Sequence, residues 1–206
     1  MTLYLTGVKG PAIVPLLDTG LVGLMNTPAS RYAMQPGWVW AADNGCFSGS
    51  FDEHKWFTWL ADQAPFAQSC RFAVAPDVPF DHAASKKRSQ PWLARIRALG
   101  FPVAWCAQNG ATIDDVPWDD FDVLFIAGDT DWKLGPAAQS LAFYAKGVGK
   151  RVHMGRVNPT PSSGCTTHQR WRATRPTAHS SRSDRTSTSH GSCRGSNAST
   201  PSPTYP

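Results

Sequence analysis

The chain lacks the marks of several common classes of protein. Its five cysteines (Cys46, Cys70, Cys106, Cys165 and Cys193) form no Cys-x-x-Cys pair and show no zinc-ligand spacing. That disfavours a disulfide framework or a zinc module, and it is the usage of reduced, structural thiols in a cytoplasmic protein. No basic stretch at the start leads into a long apolar run, so no secretory signal is expected. No apolar run approaches the roughly 20 residues that a membrane helix needs, so no membrane partner is expected. Histidine is scarce where the apolar runs end, which counts against a metal-dependent hydrolase, and no metal or other cofactor is expected.

Charge is unevenly placed. The formal net charge is +5. Residues 1–158 hold fourteen Lys and Arg against fourteen Asp and Glu, so the body is neutral. Residues 159–206 hold six Arg, no Lys and a single acid, Asp184, and they contain no Ile, Leu, Val, Phe or Met. The whole excess therefore sits in a Ser/Thr/Pro/Arg segment, and the basic isoelectric point says little about the body. Such a segment buries too little apolar surface to offset its ordering entropy, and disorder is expected there. Two parts follow: a domain over 1–158 and a low-complexity tail over 159–206.

The body alternates strand-length apolar runs with longer mixed segments. The runs are Leu3–Leu5, Leu21–Met25, Trp38–Ala42, Phe72–Ala75, Val103–Ala107, Val123–Ala127 and Arg151–Met154, each followed by a polar residue, a proline or a glycine. Buried parallel strands read this way, and their C-terminal ends carry function. Helices are expected over Asp52–Ala64, over Pro91–Leu99 with the proline at the start, and from Pro136 to Lys146 with Gly147 as the stop. Lys86-Lys87-Arg88 reads as a solvated helix start, with a phosphate contact as the less favoured reading. Seven units are one short of a (β/α)8 barrel of the TIM type, which is the fold class expected here, as α/β with an incomplete barrel; an open doubly wound sheet is the alternative.

The strand ends converge on one chemistry. They offer two carboxylates (Asp43, Asp77), an amide (Gln108), backbone groups at Gly128, and two flat or soft apolar side chains (Phe47, Met154). Carboxylate and amide can read the edge of a planar heterocycle while apolar faces stack on it. Each residue also has a plainer reading. Asp43 would cap a helix, Asp77 would sit in a Pro-Asp turn, Gln108 would be solvated before Asn-Gly, and Phe47 and Met154 would pack in the core. His153 reads as a strand residue, and Arg156 as a phosphate contact or a solvated side chain.

The motifs resemble a family. Asp18-Thr19-Gly20 through Asn26-Thr27 to Gln35-Pro36-Gly37, Asp43-Asn44-Gly45-Cys46-Phe47, Ala75-Pro76-Asp77, Val103 to Gly110, Ile126-Ala127-Gly128 and Arg151 to Gly155 are similar, in that order, to motifs of the tRNA-guanine transglycosylase (queuine tRNA-ribosyltransferase) superfamily. The likeness is greatest to the phage-encoded members that place 7-deazaguanine bases in DNA. The resemblance implies a pentosyltransferase that exchanges guanine for a 7-deazaguanine derivative in DNA or tRNA, through a covalent Asp–sugar intermediate. It implies Asp43 as general acid/base, Phe47 and Met154 stacking on the base, Asp77 on its N1 and exocyclic-amine edge, and Gln108 with the backbone at Gly128 on its O6 side. Nucleic acid and a deazaguanine base would be the partners, a homodimer is compatible with the plan, and the location would be the cytoplasm, of the host if phage-encoded.

The sequence departs from the pattern in places. Cys46 and Asn44 stand where the family has Gly and Ser, and Asp129 stands where it usually has an apolar residue, which points to a different 7-substituent. The family's nucleophilic Asp belongs to an eighth strand, after the Met-Gly motif, and here that region is the Arg-rich tail. The tail has the composition of GC-rich DNA read out of frame. Permitted codons for Arg172 to Ser180, shifted by two nucleotides, can read Cys-Asp-Ser-Ala-Asp-Gly-Thr-Phe, similar to the eighth-strand motif of the phage members. The resulting expectation is a frameshifted chain without the nucleophile, with a base-binding remnant that does not catalyse exchange as the rival reading.

Overall fold

Buried parallel strands need no alternation of apolar and polar residues, because both faces are covered. All seven apolar runs form strands, the five central ones buried and the two outer ones only partly covered. In the computed structural model, which describes residues 3–6, 10–30, 32–49 and 51–156, they are β1 (Leu3–Leu5), β2 (Val22–Asn26), β3 (Trp40–Ala42), β4 (Cys70–Val74), β5 (Val103–Ala107), β6 (Val123–Ile126) and β7 (Arg151–Met154). The expectations for residues 159–206, including the tail's disorder, its reading frame and Asp184, lie outside the described residues.

Every neighbouring pair is parallel, and the sheet runs β1-β2-β3-β4-β5-β6-β7 with no reversal. A doubly wound sheet reverses its order at a switch point, so the open alternative does not hold. The helices are α1 (Val14–Asp18), α2 (Glu53–Asp62), α3 (His82–Ala98), α4 (Thr130–Leu134) and α5 (Pro136–Gly147). No helix among the described residues is long and apolar enough to cross a membrane.

Side-chain alternation divides the sheet into two faces. Leu24, Trp40, Ala42, Ala73, Val103, Trp105, Leu124 and Ile126 share one core with Trp56, Leu60, Trp92, Ile96 and Leu141 of the helices. The other face carries Met25, Ala41, Phe72, Val74, Ala104, Cys106 and Val123, with Tyr4 and Phe125 packed against them. These residues are covered by the sheet itself. The rings of Tyr4 in β1 and His153 in β7 lie 5.3 Å apart, and Phe72 and Phe125 also stand against His153. The sheet therefore curls into a half-barrel around its own apolar face. Gly23 makes room for this packing: a Cβ there would stand 2.7 Å from the Tyr4 ring.

Helix α2 falls within the expected Asp52–Ala64 stretch and is capped by Asp52, whose carboxylate accepts from the Lys55 N–H, and α5 starts at Pro136 as expected. Helix α3 corrects the expected Pro91 start. It begins nine residues earlier, at His82, capped by Asp81, and Pro91 lies inside it. The first half turns Ser85 and Ser89 to the sheet in place of apolar residues. Their hydroxyls donate to the Val78 and Pro76 carbonyls (2.9 and 2.7 Å), and hydrophobic periodicity carries no trace of a face built that way. Lys86-Lys87-Arg88 thus lies within the helix. Lys86 pairs with Asp115 at 3.6 Å, and Arg88 donates to the Asp77 carbonyl at 2.9 Å.

Candidate active site

The C-terminal ends of β2 to β5 bring five polar residues together: Asn26, Asp43, Asn44, Asp77 and Gln108. The turn after β3 continues the ladder by one residue, with Asp43 N–H donating to the Asn26 carbonyl at 2.8 Å. The chain then bends through Gly45 (φ 75°) into a short turn, Cys46–Ser48, that ends at Gly49 (φ 76°). Asn44 staples this turn to β4. Its Oδ1 accepts from Cys46 N–H, and its Nδ2 donates to the Ala75 carbonyl and to Asp77 Oδ1, each at 2.8 Å.

Asp77 is held from the other side by Gln108, whose Nε2 donates to Oδ2. The Gln108 Oε1 accepts from the Phe80 N–H at 2.9 Å. Asn44, Asp77 and Gln108 are all buried. A carboxylate out of water is tolerable when each oxygen accepts a hydrogen bond, and here both do. Each oxygen keeps further lone-pair capacity toward a ligand edge.

Asp43 sits differently. It is half-buried, and its carboxylate accepts from the Gly45 N–H at 3.4 Å. Burial raises its pKa above the usual carboxylate value, and the charge of Asp77 adds to this, while the Gly45 and Asn44 N–H groups pull it part of the way back. Two nearby carboxylates with unlike environments are a means of separating proton donor from anion. Burial and Asp77 also push the Cys46 thiol up to about 12, and burial raises Cys106 well above its ordinary range. Cys46, Cys70 and Cys106 are free and buried thiols, neither nucleophiles nor disulfide partners.

Phe47 stands at the rim, 80% exposed, with its ring 6.0 Å from that of Phe80 at 81°. Gly128, after β6, has φ 82°, and a Cβ there would meet Asn109 Oδ1 at 2.5 Å. Asn109 bridges β5 to β6: its Oδ1 accepts from Asp129 N–H at 3.0 Å, and its Nδ2 donates to Asp129 Oδ2. Asp129 also caps α4, accepting from Trp132 N–H at 2.8 Å, so this carboxylate is engaged as a cap, and these bonds hold its pKa low. Met154 ends β7, partly exposed and on the sheet face opposite His153, in register with Ile126. The Arg156 carbonyl accepts from the Lys133 ammonium.

Sequence reasoning named Asp43, Phe47, Asp77, Gln108, Gly128 and Met154. The hydrogen-bonded array joins Asp77 to Gln108 and brings in two residues not nominated, Asn44 and Phe80. A third is Asn26, fully buried beside Asp43, whose side-chain amide has no partner among the described residues. An Asp-Asn-Gly turn after a strand was a usable signal for Asn44, because Asn readily bonds the backbone two residues on.

A separate depression lies at the opposite ends of the strands, beside Arg97, Asp122, Lys150 and Arg151. Its groups serve the fold: Asp122 accepts from Val103 N–H and from Arg97, and Lys150 donates to the Phe121 carbonyl. Among the described residues, no three His, Cys, Asp or Glu side chains are grouped to hold a metal ion. No family model, curated protein or solved structure matches the chain.

Proposed function

We propose that the chain follows the plan of a guanine transglycosylase: an eight-stranded (β/α) barrel whose strand ends hold a purine-type base and exchange guanine for a 7-deazaguanine derivative in nucleic acid. DNA is the substrate in the phage form of this chemistry and tRNA in the queuosine form. The observation that carries the reading is the buried Asn44–Asp77–Gln108 array beside Asp43. It pairs one carboxylate fixed by amides with another that holds its proton to higher pH than an ordinary aspartate.

On this reading Asp77 accepts from the N1–H and exocyclic amine of the base, Gln108 and the Gly128 backbone face O6, and Phe47 and Met154 supply stacking surface. In the exchange, a second carboxylate attacks the sugar C1′. Its oxygen–carbon bond forms as the glycosidic bond breaks, and the electron pair leaves with guanine, which takes its proton from Asp43. The incoming base gives its proton to Asp43 and attacks the same carbon, releasing the carboxylate. The resemblance places the attacking Asp on an eighth strand beyond Gly155, outside the described residues. The facing rings of Tyr4 and His153, on strands with no ladder between them among the described residues, support a barrel closed by one further strand.

One observation favours a second reading, base binding without exchange. Asp77 is engaged by two amides and Asp43 is inclined to keep its proton, so neither is placed to attack carbon. The test is incubation with DNA or tRNA carrying labelled guanine, together with 7-deazaguanine-type bases, followed by nucleoside mass spectrometry and equilibrium dialysis. Release of label with the matching mass change supports exchange, and dialysis binding without release supports the second reading. Neither binding nor release at millimolar base refutes both. Sequencing the coding DNA around codon 158, and assaying a frame-restored protein, tests where the nucleophile lies.

A further inference from the structure

Phe80 is the one non-glycine with positive φ among the described residues, at 68°. It lies in the turn Val78-Pro79-Phe80-Asp81, closed by a bond from Asp81 N–H to the Val78 carbonyl at 3.2 Å. Proline at the second position and positive φ at the third is the type II arrangement, and glycine is the residue that adopts the third position without strain. A bulky aromatic there is strained, and such strain persists only where the surroundings impose it. Here the Phe80 N–H is held by Gln108 Oε1, whose amide is itself bonded to Asp77.

The strain does not serve core packing. The Phe80 ring is 49% exposed, and the ring it touches, Phe47, is 80% exposed. Two large apolar rings, from the turns after β3 and β4 that also carry Asp43 and Asp77, thus meet edge to face in water. An exposed apolar pair beside convergent polar groups marks a site for a ligand that is flat on its faces and polar on its edge.

We infer that Phe80 is an aromatic wall of the base cleft, standing where the resemblance puts Met154 and paired with Phe47, so that the two rings clasp a planar heterocycle whose edge meets Asp77 and Gln108. The inference rests on the base-binding reading and deepens it, since it names the residue that forms the second wall of the site. Phe80, with its N–H pinned, is the fixed wall. Phe47, on a short turn between two glycines, is the wall that moves, turning from its edge-on contact to admit the base.

The experiment is equilibrium dialysis of the full chain with guanine and with 7-deazaguanine, alongside thermal melting. The variants are Phe80→Gly, Phe80→Trp and Phe47→Ala. Phe80→Gly keeps the N–H bond to Gln108 and removes the strain, so its melting midpoint stays close to wild type or rises. Its affinity for both bases falls about tenfold or more, the usual size of a lost aromatic stack. Phe47→Ala falls similarly, and Phe80→Trp stays within a few-fold of wild type. Wild-type affinity in Phe80→Gly overturns the inference and leaves the base site standing. Absence of binding in the wild-type chain itself overturns the base-site reading and the clasp with it.

Discussion

The rings of Tyr4, on the first strand, and His153, on the seventh, stand 5.3 Å apart and nearly perpendicular, at 81°. Across a flat sheet, six steps of about 4.8 Å would separate their strands by about 29 Å. The contact thus measures the curl of the sheet, and it places an imidazole in an aromatic cage completed by Phe72 and Phe125.

Burial in that cage holds the His153 pKa down from 6.5 to about 4. Unfolding exposes the ring, so between those values the unfolded chain binds more protons than the folded one. Stability is therefore complete above the unfolded value and declines as pH falls from about 6.5 to about 4, by roughly 3 kcal/mol at full extent. Urea titrations from pH 8 to pH 4 will show this decline and a much flatter profile in His153→Phe. His82, whose pKa burial also lowers, is common to both proteins and cancels in the difference. Parallel profiles would show that His153 is solvated.

Gly23 and Tyr4 are direct neighbours across β1 and β2, and a Cβ at 23 would lie 2.7 Å from the Tyr4 ring. Gly23→Ala will cost about 1–3 kcal/mol by overpacking. A double-mutant cycle with Tyr4→Leu will recover part of that cost. Strict additivity would mean that the ring does not cause it.

Much of this architecture was legible. Strands β2 to β6 announce themselves because strands buried on both faces are largely apolar, and Asp43, Asp77 and Gln108 announce themselves by ending three of them. What escaped depends on contacts between residues far apart in sequence. Ser85 and Ser89 form a buried helix face by bonding carbonyls of the preceding loop, so the first half of α3 has no apolar stripe. Asn44 matters because it reaches Asp77 across 33 residues. Phe80 matters because of a backbone angle that its side chain disfavours. Asp129, which looked like an odd carboxylate in the pocket, is a helix cap.

Asn44 is expected to be the residue on which the site's geometry depends most. Asn44→Ala leaves the Cys46 N–H, the Ala75 carbonyl and Asp77 Oδ1 each one partner short. Buried polar groups so deprived cost about 1–3 kcal/mol. Chemical denaturation will show a loss in that range, and dialysis will show weaker base binding even where the fold survives. Asn44→Asp will be worse in both assays at neutral pH, because it sets a like charge against Asp77. A loss smaller than that of Asn44→Ala would mean that one of the carboxylates is protonated.

Asp43 separates stability from function. Its pKa is raised, first by burial and then by Asp77. For an acid raised on folding, the favourable contribution is complete below the unfolded value of 3.8 and is lost as pH climbs through the folded value. At pH 7 folding thus has to desolvate or protonate the Asp43 carboxylate, a cost that Asn does not carry. Asp43→Asn is expected to raise the melting midpoint at pH 7, with an advantage that shrinks as the pH approaches 4. In a frame-restored protein the same variant should bind 7-deazaguanine with near wild-type affinity while exchange falls by two to four orders of magnitude, the range for loss of a general acid. A residue kept only as an anionic cap of the turn would give the opposite pattern: lower stability at pH 7, because a neutral amide oxygen accepts from the Gly45 N–H more weakly than a carboxylate does, with exchange reduced no further than folding explains. The sign of the stability change at pH 7 decides between a proton-handling group and a structural one, and it can be read without knowing which base the protein uses.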